Sequence, residues 1–78
     1  MITNDFVGKI IEIKVIDELK EIYQPPLFQN VIGIITEVDI EEQHLYIKSF
    51  ERNMDQIPYV SGPHRYCFSD ITYRIINF

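Results

Sequence analysis

The stretch VIGIITEVDIEEQHLYIKSF, from Val31 to Phe50, decides the fold of this 78-residue chain. Two runs rich in β-branched and aromatic residues, Val31 to Ile40 and Leu45 to Phe50, flank four polar residues, so the stretch predicts a β-hairpin. Because side chains alternate along a strand, one face of this hairpin is expected to form the core. The predicted inward residues are Ile32, Ile34, Val38 and Ile40 on the first run and Leu45 and Ile47 on the second.

Gly33 lies among β-branched neighbours in the first run. A glycine inside a strand usually marks a bulge or the close approach of another strand. We therefore expect the sheet to bend on itself near this position.

The rest of the chain predicts further short strands and little helix. A first strand from Phe6 to Asp17 alternates apolar and charged residues, and Pro25 with Pro26 ends a short helical turn predicted from Asp17 to Tyr23. The other predicted elements are an edge segment at Ile57 to Val60, a turn at Ser61 to His64, and strands at Arg65 to Phe68 and Tyr73 to Phe78. We expect one domain over residues 1–78, an all-β, five-stranded, strongly bent antiparallel barrel with at most one short helical turn.

Composition and charge exclude several classes of protein. Hydrophobic residues make up 46% of the chain, which argues against disorder, and the single cysteine fits a reducing, cytoplasmic location. We expect no secretory signal and no membrane span. Residues 1–42 carry nine acids against three bases, whereas residues 43–78 carry three acids against four bases. A chain this acidic lacks the basic surface that duplex nucleic acid requires. Its acidic face either serves solubility alone, which is the first expectation, or meets a protein partner with a basic surface.

Two segments resemble known small barrels. The string Gly33-Ile34-Ile35-Thr36-Glu37-Val38-Asp39, followed by Leu45-Tyr46-Ile47, resembles the paired strands of Sm-like barrels. The string Phe68-Ser69-Asp70-Ile71-Thr72-Tyr73-Arg74-Ile75 resembles the last strand of small SH3-like barrels, including the YolD-like proteins of Gram-positive bacteria and their phages. The resemblance implies an SH3-like or Sm-like barrel. It does not extend to the RNA chemistry of Sm proteins, since Gln43 and His44 stand where that family has an asparagine.

Residues that could carry catalysis or hold a metal do not form a known motif. The chain has no glycine-rich phosphate loop, no nucleophile elbow and no Cys or His pair at metal-binding spacing. His44 and His64 each lie in a predicted turn, where a solvated histidine is expected. We expect no enzyme activity, no cofactor and no metal.

Two functional classes remain open. The first is a protein-binding module, such as an accessory or inhibitory protein of a phage or mobile element, that acts by covering a partner's surface. Its predicted contact residues are Tyr23, Pro25, Pro26, Leu27, Phe28, Glu41 and Glu42. In this set Leu27 and Phe28 are equally compatible with capping one end of the barrel.

The second class is a small barrel, forming a homo-oligomer, that holds an anionic small molecule such as a nucleotide. Cationic side chains can bind phosphates and aromatic faces can stack on a base. The predicted ligand-binding residues are Lys48, Arg52, Tyr59, His64, Arg65 and Tyr66. Ordinary surface charge is the competing explanation of this group.

The charge distribution makes a testable prediction about nucleic acid. Duplex DNA and RNA are expected to bind only weakly at ~0.15 M salt, because few phosphates can be neutralised. Fluorescence anisotropy with labelled duplexes measures this directly. A sub-micromolar dissociation constant at that salt would contradict the prediction.

Overall fold

The computed structural model describes residues 1–16 and 30–76 of the chain. In these residues five strands form one antiparallel sheet. Two short 3-10 turns, Asn4–Phe6 and Phe68–Asp70, precede the first and the last strand. The strands are β1 (Ile10–Val15), β2 (Val31–Asp39), β3 (His44–Arg52), β4 (Pro58–Cys67) and β5 (Ile71–Ile76). The predicted all-β class with five antiparallel strands is confirmed.

The strand order in the sheet is β4-β3-β2-β1-β5, so β4 and β5 are its two edges. The expectation that Pro58 lies on an edge strand is confirmed, because β4 begins at this residue. Within the described residues β4 does not pair with β5. The closed barrel therefore stays a prediction. The helical turn predicted from Asp17 to Tyr23 lies outside the described residues.

The hydrophobic core covers one face of the sheet, which we call the inner face. The alternation predicted for β1 is confirmed, since Ile11, Ile13 and Val15 are buried while Lys14 is exposed. Leu45 and Ile47 of β3 are fully buried, also as predicted. The remaining core residues come from the N-terminal segment and from the other strands: Ile2, Val31, Ile35, Tyr66 and Ile71.

The inward face predicted for β2 is wrong over its first half. Val31, Gly33 and Ile35 face the core, whereas Ile32 is exposed and Ile34 is only half-buried. The cause is a β-bulge between Ile35 and Glu37, which shifts the pairing with β3 by one residue and reverses which side chains point inward. Beyond the bulge Val38 packs against the core as predicted, but Ile40 lies exposed in the turn.

The close approach predicted at Gly33 is confirmed. A Cβ atom on Gly33 would collide with the Lys48 carbonyl oxygen and would come within 2.6 Å of the Ile47 side chain. Only a residue without a side chain lets β2 pass this close to the backbone of β3.

Several predicted elements have different bounds in the structure; the last strand, for example, begins at Ile71 rather than Tyr73. The first strand starts at Ile10 rather than Phe6, because the chain turns at Gly8, where φ is +88°. Ser61 to His64 is not a turn but the middle of β4. The glycine and proline produce an irregularity there: the register with β3 shifts between Ile47 and Ser49, and Gly62 has φ +111°.

The corrected inner face makes a prediction about two neighbouring residues. Ile35→Ala is expected to cost about 2–5 kcal/mol of unfolding free energy, because it removes buried methyl groups and leaves a cavity. Ile34→Ala, on the opposite face, is expected to cost about 1 kcal/mol, because its side chain is only partly buried. Urea denaturation of both variants tests the assignment, and a larger loss for Ile34→Ala would restore the original face.

Candidate functional site

The β3–β4 hairpin presents two chemically different faces. Antiparallel partners point their side chains to the same side of a sheet, so the register assigns every residue to a face. Leu45 pairs with Tyr66 and Ile47 with His64 on the inner face. Tyr46 pairs with Arg65 and Phe50 with Val60 on the opposite, outer face.

The outer face carries a row of exposed apolar side chains across β2, β3 and β4. Phe50 and Val60 are direct partners, and the pairing of Gly33 with Ser49 places Ile32 beside Phe50. These side chains are 40% (Ile32), 46% (Phe50) and 57% (Val60) exposed. We call these three residues the apolar row. Exposed apolar residues are ordinary singly, and a group of them side by side is a candidate interaction surface.

Cationic side chains lie on both sides of Phe50 in the apolar row, whereas an acid, Glu12, lies beside Ile32 at the other end of the row. Lys48 and Arg52 flank Phe50 along β3, and Arg65 lies opposite Tyr46 on the same outer face. The Arg52 side chain is held by a hydrogen bond of 3.0 Å, in which Nη1 donates to the Gln56 carbonyl oxygen. The outer face of β3 and β4 carries these three bases and no acid, although the chain as a whole has a net charge of −5.

On the inner face of the same hairpin, several polar side chains lie next to the core. The Tyr59 hydroxyl donates a hydrogen bond to the Glu51 carboxylate, and this bond raises the pKa of Tyr59. Burial, reinforced by the Glu51 charge, raises the pKa of Tyr66 to about 12. Ser49 is 1% exposed, and its Oγ has no hydrogen-bond partner among the described residues.

Ser61 and His64 are the one pair on this face whose residue types could suggest nucleophilic catalysis. Ser61 Oγ lies 3.0 Å from His64 Nε2. A catalytic triad also needs a carboxylate on the other ring nitrogen, and among the described residues His64 hydrogen-bonds only Ser61. The bond joins the residues on either side of the irregularity at Gly62, so it stabilises the bent strand.

The six residues predicted to bind an anionic ligand do not form one cluster. Lys48, Arg52 and Arg65 lie on the outer face, whereas Tyr59, His64 and Tyr66 lie on the inner face. Tyr66 is also fully buried, so its ring cannot stack on a ligand from solvent. The structure therefore separates the cations from the aromatic residues that were expected to work with them.

The residues predicted to bind a protein are described only in part. Glu41 and Glu42 lie exposed in the turn between β2 and β3, where the Glu42 N–H donates to Asp39 Oδ1 at 3.1 Å. The other predicted contact residues, Tyr23, Pro25, Pro26, Leu27 and Phe28, lie outside the described residues.

The apolar row was missed by the sequence interpretation. The signal for Phe50 was present, because it alternates with the inward residues Leu45 and Ile47 on β3. The signal for Ile32 was not, because its face depends on the bulge in β2.

A depression of about 210 Å³ lies on the outer side of β1 and β5. Across it Arg74 Nη2 donates to Glu12 Oε1 at 3.0 Å. This volume is below the range of typical small-molecule pockets, and the ion pair leaves Lys14 as the remaining charged residue of its lining.

No group of three or more His, Cys, Asp or Glu side chains in the described residues could hold a metal ion. Residues 1–16 and 30–76 contain no helix long and apolar enough to cross a membrane.

The raised pKa of Tyr66 predicts a loss of stability in alkali. Below pH ~10 the phenol is protonated in both states; between about pH 10 and 12 it ionises in the unfolded chain first. The unfolding free energy is expected to fall across this window by up to about 3 kcal/mol. Denaturant unfolding of the wild type and of Tyr66→Phe across the window measures this contribution. Parallel losses in the two proteins would contradict it.

No family model matches the chain, and no curated protein and no solved structure matches it either.

Proposed function

We propose that this chain is a non-catalytic protein-binding module that acts by covering part of a partner's surface. The observation that carries the proposal is the apolar row on the outer face, with Lys48 and Arg52 on either side of Phe50. An accessory or inhibitory protein needs no catalytic residues, because covering a surface of its partner is enough to block other molecules that bind to that surface.

The arrangement of the row matches how protein interfaces obtain their affinity. A few aromatic or apolar side chains at the centre supply most of the binding energy, and polar or charged residues at the rim exclude water and set orientation. Phe50 occupies the central position, between Ile32 and Val60. Strands hold all three side chains, so little backbone freedom is lost on binding.

The charge of the outer face indicates the chemistry of the partner. Lys48 and Arg52 next to Phe50, with Arg65 farther along the same face, favour a partner surface whose acidic residues lie beside its apolar centre, since complementary charge orients association. A partner with a basic surface, expected from Glu41 and Glu42, would have to bind at the β2–β3 turn. That turn is about 20 Å along the hairpin from Phe50, at roughly 3.3 Å per residue. The two surfaces are therefore separate, and we propose the outer face as the principal one.

Nucleotide binding is the less favoured function. It was expected to depend on six residues acting together, and those residues divide between the two faces of the hairpin.

Substitutions in the apolar row test the proposal. Phe50→Ser and Val60→Ser are expected to reduce capture of the proteins that the immobilised wild type retains from a bacterial lysate, because each removes apolar contact area. Both variants should melt within a few degrees of the wild type, since both side chains are about half exposed. Quantitative mass spectrometry of the captured proteins gives the comparison.

Ile40→Ser is the matched control, because Ile40 is 44% exposed but lies in the β2–β3 turn. This variant should retain the same proteins as the wild type. Equal capture by all four proteins would refute the outer face as the contact surface. Arg52→Gln should weaken capture and reduce its sensitivity to salt.

A further inference from the structure

The two edges of the sheet differ in how well they are protected. Exposed strand edges are templates for pairing with another chain, and natural proteins block them with proline, bulges or charge. The β4 edge contains Pro58, Pro63 and a register irregularity. The six residues of β5 contain no proline, and their pairing with β1 is regular along the whole strand. In the described part of the chain, β5 is therefore the unprotected edge.

Two hydrogen bonds show which backbone groups of β5 face outward. The Ile16 N–H donates to the Asp70 carbonyl at 2.9 Å, and the Ile35 N–H donates to the Lys9 carbonyl at 3.0 Å. Hydrogen-bonded pairs recur every second residue, so even-numbered residues of β1 bond to β5 and odd-numbered ones to β2. The same alternation directs the N–H and C=O groups of Ile71, Tyr73 and Ile75 toward the open edge.

We propose that β5 pairs with β5 of a second copy of this chain, antiparallel, about a twofold axis at Tyr73. In this register Tyr73 faces its own counterpart, and Ile71 faces Ile75 of the other copy. All three outward-facing residues then exchange their N–H and C=O groups with the second copy, which gives six intermolecular hydrogen bonds. The pairing joins two five-stranded sheets into one.

The side chains of β5 are self-complementary in this register. On the inner face, Tyr73 (38% exposed) and the two isoleucines extend the core across the junction. On the outer face, Thr72 of each copy lies opposite Arg74 of the other. A register centred on Arg74 would instead place two like charges side by side, which is unfavourable. The register centred on Tyr73 pairs five of the six residues of β5, Ile71 to Ile75.

This interface is independent of the proposed function, because it uses the opposite edge of the sheet from β4. A single strand from each copy buries a small area, so we expect a dimer that dissociates on dilution. A closed barrel would instead occupy β5 within one chain.

Two substitutions at one position test the register. Thr72→Glu places a carboxylate opposite Arg74 of the second copy, and Thr72→Lys places a like charge there. Because the pair occurs twice in a twofold dimer, we expect the dimer dissociation constant to fall about three- to tenfold for Thr72→Glu and to rise by a similar factor for Thr72→Lys. Sedimentation equilibrium over a range of protein concentrations measures each constant.

Thr36→Glu and Thr36→Lys are the controls, because they change the net charge equally at an exposed position of β2. They should leave the dissociation constant unchanged. A wild-type chain that is monomeric at every concentration overturns the proposal. Equal changes of the dimer dissociation constant in the Thr72 variants and in the Thr36 variants would overturn it as well.

A disulfide trap checks the geometry separately. In a Cys67→Ser background, Thr72→Cys together with Arg74→Cys should give a covalent dimer on oxidation. The two positions face each other across the junction about 4.5 Å apart at Cα, within disulfide range. Each single substitution should give little covalent dimer, and equal yields from the single and double variants would refute this register.

Discussion

The rest of the structure depends on the close approach of β2 to β3 at Gly33. No side chain fits between this residue and the Lys48 carbonyl, so the two strands can come together only because the position has no Cβ atom. The approach places Gly33 opposite Ser49 and Ile35 opposite Ile47, which seals the core on the inner face. A buried serine, rather than a larger residue, at the facing position fits the same lack of space.

The bulge that follows Gly33 links this packing constraint to the candidate binding surface. It lets β2 use odd-numbered residues for the core before the bulge and Val38 after it. The side chain of Ile32 therefore points to the outer face, next to Phe50. The core covers only the inner face of the sheet, so the apolar side chains on its outer face stay exposed to solvent unless another molecule covers them. The surface that we propose for binding is thus a product of how the core closes.

Sequence patterning predicted the parts of the fold that depend on local alternation. The hairpin, the inward residues of β1 and β3, and the edge position of Pro58 follow from side-chain period and from the missing proline N–H. The face of Ile32 and the continuity of β4 through Gly62 depend on irregularities that come from tertiary packing, so local patterning could not give them. The six predicted ligand-binding residues lie on two faces for a related reason: neighbouring residues of a strand alternate between its faces, so residues close in sequence need not share a surface. The apolar row could be predicted in part, because Phe50 follows the alternation and Ile32 does not.

The acidic turn between β2 and β3 gives the molecule an electrostatic polarity. Glu41 and Glu42 lie at one end of the hairpin, and two bases of the outer face, Lys48 and Arg52, flank Phe50 farther along β3. An approaching acidic surface is repelled by the first region and attracted by the second, so it is rotated into alignment before contact. Such steering acts on the rate of association rather than on the lifetime of the complex, and it weakens as ionic strength rises. If the proposed function holds, such steering lets a small sheet with little contact area find its partner quickly even where the final complex is short-lived.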